Sequence, residues 1–99
     1  MVRHIILWKL KDGISDPEKV KSEAKENLEA LVGEIDGLIE LKLHTEPLPS
    51  SNCDMMLESS FESADALAGY QSHPSHVAAA NAFVRPFTET RLCLDFEEE

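Results

Sequence analysis

Tyr70, His73 and His76 are the side chains best equipped for chemistry in this sequence. A histidine exchanges a proton near neutral pH. A tyrosine hydroxyl donates a hydrogen bond to a developing oxyanion. Tyr70 and His76 stand six residues apart, with Pro74 between them. In an unbroken helix that spacing sets two side chains on poorly matched faces, whereas a break at Pro74 lets the second piece turn and the two converge. Such a pair would remove a proton next to a carbonyl and stabilise the enolate. That chemistry serves an aldol- or Claisen-type ring closure and needs no metal and no cofactor. The same residues also have a structural reading. His73 would cap the piece that follows Pro74, Tyr70 would be a core aromatic with its hydroxyl satisfied, and His76 would hold the kink.

Trp8, His73 and Met55 are the candidate ligand contacts, with Met56 as a further soft neighbour. Methionines suit adaptable apolar pockets, although such residues also serve as plain core. His73 and His76 are three apart, but Pro74 spoils the regular geometry and no third ligand has a telling spacing, so no transition-metal site is expected. Glu40, Glu58 and Asp95 are candidate oxygen ligands for a hard cation, or else a polar interior lining. Ser59, Ser60 and Ser63 lack a histidine or acidic partner at motif spacing. Gly13, Gly33, Gly37 and Gly69 are scattered and form no phosphate-cradling loop, which argues against nucleotide or dinucleotide cofactors. Cys53 and Cys93 form neither a metal spacing nor a disulfide framework and are expected to be small buried hydrophobes.

The chain that must position these residues has 99 residues and a formal net charge of −10. That length makes a single domain over residues 1–99, burying about 65% of the surface exposed on unfolding. The negative charge argues against nucleic acid or anionic membrane surfaces as partners. The apolar run Ile5-Ile6-Leu7-Trp8 ends at Lys9, too short for a signal or a spanning helix. A soluble cytoplasmic protein is the expectation.

Val2 to Leu10 reads as a strand, apolar on both faces. Ser15 and Glu18 have capping-box spacing around Pro17, and a helix follows with Val20, Ala24, Leu28, Leu31, Val32 and Ile35 on one side. Leu38 to His44 is a second strand, with Ile39, Leu41 and Leu43 on one face. Met55 to Phe61 is a third. Ser63 caps a short helix through Tyr70, Pro74 interrupts it, and a further piece runs from Ser75 to Val84 before Arg85-Pro86. Arg91 to Phe96 is the last strand. This is the βαββαβ order of an α+β, ferredoxin-like protomer with an antiparallel four-stranded sheet.

Right-handed crossovers put the helices on one face of that sheet. If Ile5 and Leu7 face the helices, then His4, Ile6, Trp8 and Leu10 face the uncovered side. Soluble monomers rarely leave such a patch open. Two copies packed sheet to sheet, as a homodimer with a shared barrel-like interior, remove it; the alternative is a monomer in which Trp8 lies under the loop from Pro47 to Asn52. In the dimer Trp8 lies at the interface and His4 points into the barrel as a third member of the Tyr70/His76 group. A small-molecule site there calls for a cavity on the order of 300 Å³ or more.

The opening run Val2-Arg3-His4-Ile5-Ile6-Leu7-Trp8-Lys9-Leu10-Lys11, the segment Ser60-Phe61-Glu62-Ser63 through Leu67, the signature-like Tyr70 and His73-Pro74-Ser75-His76-Val77, and the closing Arg85-Pro86 and Asp95-Phe96 together resemble the stress-responsive α/β-barrel (Dabb) family. The resemblance spans nearly the whole chain. It implies a ferredoxin-like protomer that pairs into a dimeric α/β barrel. Some members of that family look like stress-induced proteins with no established reaction, while a plant branch contains polyketide cyclases. In that branch the equivalents of Tyr70 and His76 are the implied catalytic pair. Three classes follow: a barrel protein that binds a small molecule, a cofactor-free cyclase or lyase, and a purely structural oligomer.

Overall fold

Strand β1 (Val2–Leu10) runs between two antiparallel neighbours, and its pairing decides which of its faces is core. The computed structural model describes residues 1–99. After β1 come helix α1 (Pro17–Glu29), strands β2 (Leu38–His44) and β3 (Met55–Phe61), helices α2 (Ala64–Ser72) and α3 (Pro74–Phe83), a single 3₁₀ turn (Arg85–Phe87) and strand β4 (Thr88–Glu97). The sheet order is β2-β3-β1-β4, antiparallel throughout. This is the ferredoxin-like arrangement expected from the element order.

The strand phase is the reverse of the expectation. Val2 lies opposite Phe61, Ile6 opposite Leu57 and Trp8 opposite Met55. All six are buried in one cluster with Ala24, Leu28, Leu67, Tyr70 and Val84. Trp8 is therefore core, packed under the helices, and it does not lie on an intersubunit face. His4 sits beside it at 1% exposure, on the same side. Leu10 is partly buried against that cluster. The uncovered face carries Ile5 and Leu7, opposite Leu94 and Leu92 on β4. Leu92, Leu94 and Phe96 are 62%, 64% and 42% exposed. The physical reason is that β1 is apolar on both faces, so its own alternation cannot choose between them. The choice belongs to the strands alongside, where β3 sets three large side chains against one face and β4 sets Arg91, Cys93 and Asp95 there.

Other departures are local. Asp16, one residue after Ser15, caps α1 by accepting from the Lys19 N–H at 3.1 Å, with Pro17 as the first helical residue. The helix stops at Glu29, and turns carry Leu31 and Ile35 into the core. Gly37 ends this stretch at φ +84°, where a Cβ would lie 2.5 Å from that of Ala66 on α2. Ile39 sits at a bulge between Leu38 and Glu40 and is exposed, while Leu41 and Leu43 keep the inward face. Cys93 is exposed and Cys53 half-buried, so neither is a core hydrophobe: β4 is a sheet edge and Cys53 precedes β3 in a loop.

Candidate functional site

His73 joins α2 to α3. Its extended backbone (φ −64°, ψ 132°) closes the first helix, and its Nδ1 accepts from the Ser75 N–H at 3.1 Å to open the second. Pro74 takes the first position of α3, where its missing N–H costs nothing. The cap occupies His73, and it is not among the pocket residues. The joint instead does what the spacing promised for its neighbours. The rings of Tyr70 and His76 come together, with centroids 4.2 Å apart and planes at 36°.

His4 meets this pair from β1. Its ring approaches Tyr70 edge-on at 6.3 Å and Phe61 at 6.2 Å. The Ser59 hydroxyl donates to the His4 carbonyl at 3.0 Å, and His4 Nδ1 is hydrogen-bonded to the Asp95 carboxylate directly across the β1–β4 ladder. A carboxylate accepts, so Nδ1 carries the proton and Nε2 presents a lone pair.

These three side chains, with Trp8, Arg85 and Arg91, line a partly enclosed pocket of about 80 Å³. That is well below the size expected for a drug-like ligand, because Trp8 and Tyr70 themselves fill the interior. The space suits a few non-hydrogen atoms, and a long folded keto chain does not fit within it. Met55 is fully buried and borders a separate hollow of about 310 Å³ beside Leu7, Pro47, Cys53 and Met56.

The Tyr70 hydroxyl is buried and has no hydrogen-bond partner in the chain. Burial pushes its pKa far above the ordinary phenol range, with the Arg91 charge pulling weakly the other way. It therefore acts as a donor. His76 is half-buried, and its pKa falls below 6.5, first through burial and then through nearby positive charge, Arg85 foremost, against a raising hydrogen bond to Gln71. Its Nδ1 donates to the Gln71 carbonyl at 3.3 Å. Because a carbonyl only accepts, the neutral ring keeps Nε2 free as an acceptor or base. The arrangement thus sets a phenol donor, imidazole acceptors and two guanidinium groups around one small space.

Sequence spacing did not reveal the roles of Arg85, Arg91 and Gln71, or the grouping of Asp95 and Cys93 with His4. Asp95 was legible only as one of three carboxylates, and those three are not together. Glu40 and Glu58 lie on the open face, where Arg3 reaches them at 3.6 and 2.9 Å, while Asp95 is on the helix side. The missing signal was the β1–β4 register, which no spacing along the chain encodes. His4, Cys93 and Asp95 hold one potential ligand atom each within 4.8 Å of one another, a metal-competent grouping different from the Glu40, Glu58 and Asp95 set read from the sequence.

Comparison with known proteins agrees with this fold. The family described as "Stress responsive A/B Barrel Domain" matches residues 2–98. An uncharacterized protein of Streptomyces coelicolor is 34% identical over 99 residues, covering 98% of this chain and 99% of that one. The stress-response A/B barrel domain-containing protein HS1 of Arabidopsis thaliana is 34% identical over 105 residues, covering 97% of this chain and 88% of its own. A crystal structure from Bacteroides fragilis, described as a dimeric protein of unknown function with a ferredoxin-like fold, superposes with a TM-score of 0.90 at 31% identity, covering 98% and 95% of the two chains. The chain belongs to the stress-responsive α/β-barrel (Dabb) domain family.

Proposed function

We propose that the chain works as a homodimer and that each protomer binds a small carboxylate- or carbonyl-bearing molecule between Tyr70, His4 and His76. The buried Tyr70 hydroxyl without a partner carries this reading. Leaving such a donor unsatisfied costs about 1–3 kcal/mol, a cost that a ligand oxygen removes. Arg85 and Arg91 at the same pocket supply positive charge for that oxygen. The dimer reading rests on the apolar row Ile5, Leu7, Leu92, Leu94 and Phe96, and the dimeric description of the B. fragilis protein supports it. The test is calorimetric titration with acetate, pyruvate and acetoacetate. Tyr70→Phe should weaken the best of these at least fivefold and should leave the unliganded fold as stable as before, or more so. Equal binding by the variant, or no binding of any of the three by the wild type, would overturn the proposal.

A second reading is enzymatic, favoured by the neutral, stacked His76 with its free Nε2. That nitrogen would take a proton next to the ligand carbonyl while the Tyr70 hydroxyl donates to the forming enolate oxygen. The pocket volume points to a short keto substrate, and a cofactor-free lyase fits it better than a polyketide cyclase. His76→Ala should abolish solvent deuterium exchange at the α-carbon of acetoacetate beyond the uncatalysed rate. Exchange that persists in the variant at the wild-type rate would rule out this role.

A further inference from the structure

At the sheet edge His4 meets two side chains of β4. His4 is directly opposite Asp95, and Cys93 is opposite Ile6, two residues along on the same face. Cys93 Sγ lies 3.7 Å from His4 Nδ1 and 3.5 Å from Asp95 Oδ1. Tetrahedral zinc, with bonds of about 2.3 Å to sulfur and about 2.0–2.2 Å to nitrogen and oxygen, separates its ligand atoms by about 3.3–3.6 Å. Both sulfur distances are already close to those values. Only the His4–Asp95 contact is shorter, because a proton sits between the two groups. Asp95 stands on an exposed edge strand and has room to turn aside, whereas His4 is held by Phe61 and Tyr70. The fixed member is thus the histidine and the adjustable members are at the solvent boundary, where an ion can enter.

We propose that His4 Nδ1, Cys93 Sγ and an Asp95 carboxylate oxygen form a mononuclear site for a borderline-soft divalent transition metal of the zinc class, with a fourth position open to solvent. The donor set selects the class. Calcium and magnesium take oxygen ligands, whereas a mixed nitrogen, sulfur and oxygen set suits zinc. At the site itself Asp95 supplies negative charge, and Arg91, which lies beside Cys93, turns aside as the ion enters. The site lies on the helix side of the sheet, so a second copy seated on the open face leaves it uncovered. The protons balance simply. The metal takes Nδ1, the imidazole proton moves to Nε2, and the Cys93 thiol releases one proton to solvent. Metal loading therefore converts His4 Nε2 from an acceptor to a donor.

The test is anaerobic titration of the reduced full chain with Co²⁺, followed by displacement with Zn²⁺. One Co²⁺ per chain should bind, with a near-ultraviolet thiolate-to-cobalt charge-transfer band. Cys93→Ser should abolish the band and weaken Zn²⁺ binding at least tenfold. Asp95→Asn should keep the band and weaken binding at least tenfold, and Cys53→Ser should change neither. Both ligand changes fall at exposed positions, and circular dichroism confirms that each variant is folded. No charge-transfer band in the wild type, or a band that survives Cys93→Ser, would overturn the site. The readout is the metal's own absorption, so it is independent of whether Tyr70 binds a ligand.

Discussion

Leu94→Ser tests the open face most directly. Leu94 is 64% exposed in the protomer and lies opposite Ile5 on β1, in the row that a second copy is proposed to cover. Full burial of a leucine side chain contributes about 2 kcal/mol. About two-thirds of that is still available when the partner docks, or about 1.3 kcal/mol per copy. A twofold interface presents each residue twice, so the change removes about 2.6 kcal/mol and weakens the dimer about 70-fold. Sedimentation equilibrium from nanomolar to micromolar concentration measures this. Trp8→Ala is the contrasting variant. Trp8 is core, so its truncation should destabilise the protomer by about 3–5 kcal/mol in urea melts, without a comparable selective loss of association. A Leu94→Ser dimer within threefold of wild type, or a Trp8→Ala protein whose protomer stability is unchanged, would refute the placement of these two faces.

Two smaller effects follow from the same structure. Burial holds the His76 pKa below its ordinary 6.5, so the unfolded chain binds more protons at this residue than the folded one. Its contribution to stability is complete above about pH 6.5 and is lost as pH falls from there through the lower folded value. His76→Gln should flatten the fall in stability between about pH 7 and 5 in denaturant melts, and an unchanged slope would count against a buried neutral imidazole. At the start of α1, Asp16→Ala should cost about 1 kcal/mol while Ser15→Ala costs almost nothing, because only Asp16 accepts from the helix. Thermal denaturation of the two variants side by side decides which residue is the cap.

Much of the scaffold was legible from short-range patterns. β2 and β3 follow from their alternation and flanking turns, Ser63 announces α2, and Pro74 marks the joint between α2 and α3. The convergence of Tyr70 and His76 was legible for the same reason, since it depends on a local break. What stayed hidden depends on pairing between distant segments. The face of β1 is chosen by β3 and β4, some fifty to ninety residues away. Asp95 and Cys93 reach His4 only through that register. Arg91 could not be aimed at the pocket until β4 was seen to start at Thr88, three residues before the expected strand. The pocket's size was equally beyond a linear reading, because it is the space left once Trp8 turns inward.

The single residue shared by the ends of α2 and α3 leaves those helices no slack. Tyr70 rides on one and His76 on the other, so their stacked rings register any change in the angle at His73 like the jaws of a caliper. An altered bend at this one joint therefore re-gauges the opening while the strand that carries His4 stays where it is.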